Sequence, residues 1–263
     1  MTRLEQIEAL NARLLAEMPE YRDWAARVPM ETEHRRRLLR SLMNLRPPMS
    51  LDPEFLAAQD RLLSEEREER GVVDASGLLE VPGRPGMALW QGDITRLKCD
   101  AVVNAANSAL LGCFCPCHGC IDNAIHSAAG LQLRNACARL MAEQGHEEPA
   151  GRAKLTPAYN LPARYVLHTV GPIVRVQVTE QDRAQLAACY RACLALAAEH
   201  GLECVAFCCI STGEFHFPRR EAARIAVATV RDFLKEKTSI QKVIFNVFKD
   251  LDAQTYRALL GTG

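Results

Sequence analysis

MALWQGDITRLKCDAVVNAAN, residues 87–107, holds two short apolar runs, each closed by small polar residues. The first, MALWQ, gives way to GDIT at 92–95, and the second, AVVNAA, ends on Asn107. Apolar runs of this length bounded by turn formers read as buried strands rather than helices. Further along, the same kind of run recurs between helical patterns. CIDNAIHSAAGLQLRNACARLMAE (120–143) predicts one helix, YVLHTV (165–170) a strand, AQLAACYRACLALAAEHG (184–201) a helix, CVAFCCI (204–210) a strand, EAARIAVATVRDFLKEK (221–237) a helix and VIFNVF (243–248) a last strand. This alternation predicts an α/β layer structure built on a largely parallel, buried sheet. Ligands of such sheets bind beyond the carboxyl ends of the strands, so the polar segments that follow the strands are where chemistry is expected.

Toward the N-terminus the pattern changes. Leu4, Ile7, Leu10, Leu14 and Leu15 recur at helical spacing, and RRRLLRSLMNLR continues the pattern until Pro47 and Pro48 break it. A further helix is expected over DPEFLAAQDRLLSEEREER, with Asp52 as N-cap and Pro53 at the first helical position. Its charged end, RLLSEEREER, reads as a solvated face. The Gly- and Pro-rich stretch VPGRPG separates this part from the alternating one. The expected division is a helical N-terminal extension over 1–72, without chemistry of its own, and an α/β domain over 73–263.

Composition narrows the function classes. In the 263 residues, 32 basic side chains balance 32 acidic ones, so no global field recruits nucleic acid, and an anionic ligand must be held by local geometry. No apolar run reaches membrane-spanning length, and MTRLEQIEALNARLL lacks the continuous apolar core of a secretory signal, so a cytoplasmic protein without membrane contact is expected. Eleven cysteines, an odd number that includes the adjacent Cys208 and Cys209, form a poor disulfide framework. In a reducing compartment a dense cysteine cluster points to metal or redox chemistry.

Four segments that follow strands are candidates. STGEFHFP (211–218) lies between a strand and a helix, where Gly213 lets backbone approach a ligand and successive amides can point at a phosphate. No lysine follows in Walker spacing, so a diphosphate held by amides fits better than triphosphate hydrolysis. In NAAN, Asn107 can both donate to and accept from a sugar hydroxyl, although paired asparagines are also ordinary turn formers. Asp93 of GDIT can accept from an exocyclic amine, and by itself it reads first as a cap or turn residue.

The fourth segment, GCFCPCHGCID (112–122), packs Cys113, Cys115, Cys117, His118 and Cys120 into eight residues. Thiolate and imidazole are zinc ligands, and three protein ligands with an open fourth position mark a catalytic site rather than a closed structural one. A redox pair and plain reduced thiols remain open alternatives on spacing alone.

GDIT, NAAN and STG followed by an aromatic and FP stand in the order and approximate spacing of the macrodomain, a fold that binds ADP-ribose. More narrowly, GCFxPxHxCIDNxIH resembles the zinc-containing branch of microbial macrodomains, which also carry a helical N-terminal extension, so the resemblance spans nearly the whole chain. It implies a three-layer α/β/α macrodomain with a mixed, largely parallel sheet. It also implies de-ADP-ribosylation, of glycosidase or ester type, of a mono-ADP-ribosylated protein, with Zn2+ held by Cys113, His118 and Cys120. Asp93, with Ile94 beside it, would take the adenine amine, and Phe248 would lie against the ring. Ser211, Thr212, Gly213, Glu214 and Phe215 would hold the diphosphate, and Asn107 the distal ribose, with a catalytic part beside Asp122. Asp122 is the expected catalytic carboxylate, with a helix cap as its plainer role, and His126 is expected to make a structural hydrogen bond. Cys115 and Cys117 depart from the family pattern and are rival ligands. A reader that binds ADP-ribose without cleaving it, and a thiol redox sensor, are the other function classes the residues allow.

Overall fold

The computed structural model describes residues 2–261. Its helices are α1 (Arg3–Glu17), α2 (Arg22–Ala25), α3 (Thr32–Leu45), α4 (Pro53–Arg70), α5 (Ile121–Ala129), α6 (Leu131–Gln144), α7 (Glu180–Glu199), α8 (Arg219–Phe233) and α9 (Asp250–Leu260). Its strands are β1 (Val73–Asp74), β2 (Met87–Gln91), β3 (Leu97–Lys98), β4 (Ala101–Ala106), β5 (Ala153–Pro157), β6 (Tyr165–Val170), β7 (Cys204–Phe207) and β8 (Lys242–Val247).

Six strands form one sheet in the order β2-β8-β7-β4-β6-β5, and β1 pairs with β3 apart from it. The first five of the six run parallel, and β5 lies antiparallel on the edge beside β6. Val102, Val103, Val205, Phe207, Ile244 and Phe245 are almost wholly buried, because helices cover both faces. The expected three-layer α/β/α arrangement is present: α8 packs on α7 and on α9, and α5 packs on α6 and β4. No helix among the described residues is long and apolar enough to cross a membrane.

Helices α1, α3 and α4 build a second core from Ile7, Leu10, Leu14, Leu38, Leu42 and Leu62, which Leu131 of α6 joins. Asp52 caps α4 by accepting from the Glu54 amide at 3.0 Å, with Pro53 in the first turn, as the sequence predicts.

Three readings need correction. Residues 120–143 make two helices, because Gly130 turns the chain at φ 95°. A Cβ there would stand 2.6 Å from Gln59 Nε2 and from Gln132 Oε1, so any side chain would also have to push aside the ends of two glutamines. Strand β7 ends at Phe207, and Cys208 and Cys209 belong to the loop that follows. Strand β5, AKLTP, escapes a reading based on apolar runs because its edge position leaves it only partly buried.

Gly130→Ala is expected to lower the unfolding free energy by about 1–3 kcal/mol, the cost of a side chain at positive φ, with further loss if Gln59 is displaced. The urea midpoint at unchanged slope measures this.

Candidate active site

Parallel strands bring the predicted segments to one edge of the sheet. GDIT follows β2, Phe248 follows β8, residues 208–218 follow β7, and Asn107 follows β4. With neighbouring strands about 4.8 Å apart, the edge from β2 to β4 spans roughly 14 Å. A linear ligand laid along it meets Asp93 and Phe248 first, the 211–215 loop next and Asn107 last.

At the first end, Asp93 Oδ1 accepts from the Thr95 amide at 2.9 Å and from its hydroxyl at 2.7 Å. The cap expected of a lone Asp is therefore real, and Oδ2 faces Arg70 of α4 at 3.5 Å. The Ile94 side chain is buried in the core, so any ligand contact from this residue comes through its main chain. Phe248 is 72% exposed and open to stack on a flat partner. In the middle, Ser211 takes φ 63° and its Oγ is buried without a hydrogen-bond partner. Gly171, just after β6, leaves room for that hydroxyl: a Cβ there would collide with it. Thr212 Oγ1 donates to the Cys209 carbonyl at 3.0 Å, and the Phe217 amide donates to the Ser211 carbonyl at 2.9 Å, which closes the loop on itself.

At the β4 end a buried carboxylate is held by two asparagine side chains, with an imidazole close by. Asn104 Nδ2 donates to Asp122 Oδ1 at 2.8 Å, Asn107 Nδ2 lies 3.4 Å from Oδ2, and His126 Nε2 lies 3.5 Å from Oδ1. Burial pushes the Asp122 carboxyl up to about 6, against the opposing pull of the Asn104 hydrogen bond and the Arg134 charge. Asp122 sits in the first turn of α5, but the residue that caps this helix through its side chain is Cys120, whose Sγ accepts from the Asn123 amide at 3.4 Å.

The predicted ligand atoms of Cys113, His118 and Cys120 lie within 4.8 Å of one another. Cys113 Sγ is 3.6 Å from His118 Nδ1. A tetrahedral ion with metal–sulfur near 2.3 Å and metal–nitrogen near 2.05 Å sets such a pair about 3.6 Å apart, so donor types and spacing both fit zinc. Burial pushes the Cys120 thiol up to about 12, with repulsion from Cys113 and Asp122 in the same direction, so a metal bound there displaces a proton. The rival thiols point elsewhere. Cys117, at φ 53°, lies 3.3 Å from Ser41 Oγ, and its amide donates to Asn44 Oδ1 at 2.9 Å. Cys115 is exposed, and its carbonyl accepts from Asn123 Nδ2 at 2.9 Å.

These contacts give the helical extension a part in the site. Arg40 of α3 donates to Asn123 Oδ1 at 2.7 Å and to the His118 carbonyl at 3.3 Å. Arg134 of α6 donates to the carbonyls of Met43, Asn44 and Arg46, the last turn and cap of α3, and also to Leu111 at 2.7 Å. A buried cation thus satisfies the orphan carbonyls at a helix C-terminus and stacks 4.3 Å over Phe114 of the cysteine loop. Arg40, Asn44 and Arg134 carry no local signal of this role.

Behind Asp122, His126 is joined by two residues that the sequence did not single out, Cys137 and His168, and all three are buried. His168 is held at Nδ1 by Asn104 at 3.2 Å and at Nε2 by Thr156 at 2.9 Å. His126 does not make the structural hydrogen bond expected of it: both its nitrogens are buried without a partner, and its ring packs against the Gly112 backbone. Burial pulls His168 down to about 3 and His126 well below its usual range, the latter helped by His168 and Arg134. Both imidazoles are therefore neutral in the folded chain and take up protons on unfolding. Their contribution is full above about pH 6.5 and falls away as pH drops toward the folded values, by at most about 1.4 kcal/mol per pH unit for each. Asp122, with its carboxyl raised, offsets no more than one of the two. The urea midpoint is expected to fall from pH 7 to pH 5, and His168→Gln to reduce that slope. A midpoint constant over this interval would contradict neutral imidazoles.

The Macro domain family matches residues 103–226. A protein of Treponema medium named protein-ADP-ribose hydrolase is 51% identical over 262 residues, covering 99% of this chain and 100% of its own length. One of the same name from Staphylococcus aureus is 50% identical over 231 residues, covering 88% of this chain and 86% of its own. The solved Trypanosoma brucei macrodomain in complex with ADP-ribose superimposes with a TM-score of 0.66 at 33% identity, covering 84% of this chain and 95% of that one.

Proposed function

This chain belongs to the macro domain family, and from that premise we propose that it is a zinc-dependent hydrolase that removes mono-ADP-ribose from modified proteins. One observation carries the reading: the Cys113, His118 and Cys120 donors converge on the segment that leads directly into Asp122, beside β4 at the opposite end of the row of strand ends from Asp93.

In this reading Asp93 takes the adenine amine, its Oδ2 exchanging Arg70 for the ligand, and Phe248 covers the ring. Amides of Ser211, Thr212, Gly213 and Phe215 and the unpartnered Ser211 hydroxyl meet the diphosphate, where fixed donors hold charge without a net basic protein. Asn107 places the distal ribose. Cys113, His118 and Cys120 would hold zinc, which when bound would supply Lewis acidity beside Asp122. Asp122 receives a proton from the attacking water as the bond from the anomeric side of the ribose unit to the protein breaks, and it returns that proton to the departing side chain. The carboxamides of Asn104 and Asn107 keep this carboxylate aimed while its protonation changes. The hydrolase name of the two relatives supports cleavage over binding alone.

Three proteins incubated with a mono-ADP-ribosylated substrate test this. Wild type is expected to carry one zinc per chain and to release ADP-ribose. Cys113→Ala is expected to lose the metal and most of the activity. Asp122→Ala is expected to lose roughly 10²–10⁴-fold in rate while binding ADP-ribose within a few fold of wild type. Full release by Cys113→Ala would overturn zinc catalysis, and tight binding without release by wild type would make the protein a reader.

A further inference from the structure

Glu214 is out of place on a loop read as a diphosphate seat, since a carboxylate repels a diphosphate and cannot donate to it. The structure gives it a different neighbour. Its Oε1 lies 3.7 Å from His118 Nε2, across the cleft between the loop after β7 and the cysteine loop. The loop conformation that projects it is bounded by residues at positive φ, Ser211 at 63° and His216 at 56°, and is tied down by the Val174 amide donating to the Phe215 carbonyl at 2.9 Å.

The His118 ring is thus addressed on both sides. Nδ1 faces Cys113 Sγ at the spacing of a shared metal, and Nε2 faces the carboxylate. Its main chain is held from behind by Arg40. An imidazole that ligates a metal through one nitrogen carries its proton on the other, and an acceptor for that proton sets the tautomer, the ring angle and the basicity of the ligating atom. We propose that Glu214 is this acceptor, a positioning residue for the metal centre rather than a contact for diphosphate, so that the ligand loop and the metal are joined through one side-chain pair. The proposal rests on the zinc reading above. At 70% exposure the Glu214 side chain is free to close the remaining distance, and its removal disturbs no core packing.

Zinc affinity of the full-length chain, measured by competition with a chromophoric chelator, tests this without reference to turnover. Glu214→Ala is expected to bind zinc roughly 10–100-fold more weakly than wild type. Glu214→Gln, whose amide carbonyl still accepts from Nε2–H, is expected to fall between the two. Long-range proton–nitrogen spectra of the zinc form are expected to show His118 metallated at Nδ1 and protonated at Nε2. Equal affinity in all three proteins, or metallation at Nε2, overturns the Glu214 assignment and leaves the zinc reading standing, provided Cys113→Ala abolishes binding. No zinc on wild type overturns both.

Discussion

The guanidinium of Arg134 is buried among main-chain carbonyls, and the arrangement of the site depends on where it sits. It accepts no hydrogen bond and carries its charge at any working pH, so it must find acceptors wherever the fold places it. The acceptors are the last carbonyls of α3 on one side and Leu111, at the start of the cysteine loop, on the other. One cation therefore fixes the distance between a helix of the extension and the loop that bears the thiols. Once α3 is held there, Arg40, Ser41 and Asn44 are within reach of His118, Cys117 and Asn123. The rival thiol of Cys117 is drawn toward α3 by the same contacts, which leaves Cys113, His118 and Cys120 as the convergent set.

A second constraint is the cost of burying a carboxylate. Asp122 has no cation bonded to it and keeps its place through two asparagine side chains. The group behind it, His126 and His168, is neutral, so it adds no charge that would lock Asp122 in one ionisation state. The carboxyl group is thus held by uncharged donors, in a chain whose basic and acidic side chains balance.

Much of the site was legible because its segments sit directly after strands. Asp93, Asn107, the 211–215 loop and Phe248 are placed by the alternation of apolar runs and turn formers alone, since parallel strands present their carboxyl ends together whatever their order. The strand order itself, which sets β2 and β8 at one end and β4 at the other, cannot be read from periodicity. The same limit explains the misread helix over 120–143. Gly130 looks like a tolerable interruption of a 3.6-residue pattern, and the positive φ it takes there, with Gln59 from more than seventy positions away packed beside it, appears only in the folded chain.

By itself the sequence determined the α/β class, the helical extension, the four candidate segments that follow strands and the cluster of five possible donors from Cys113 to Cys120, because each follows from residues close together in the chain. Only the tertiary structure decided which cysteines converge, that Ile94 turns its side chain into the core, that α3 and Arg134 brace the cysteine loop, and that Glu214 faces His118. Those outcomes depend on contacts between elements distant in sequence, whose distances are set by packing two cores against each other rather than by any local preference of the backbone.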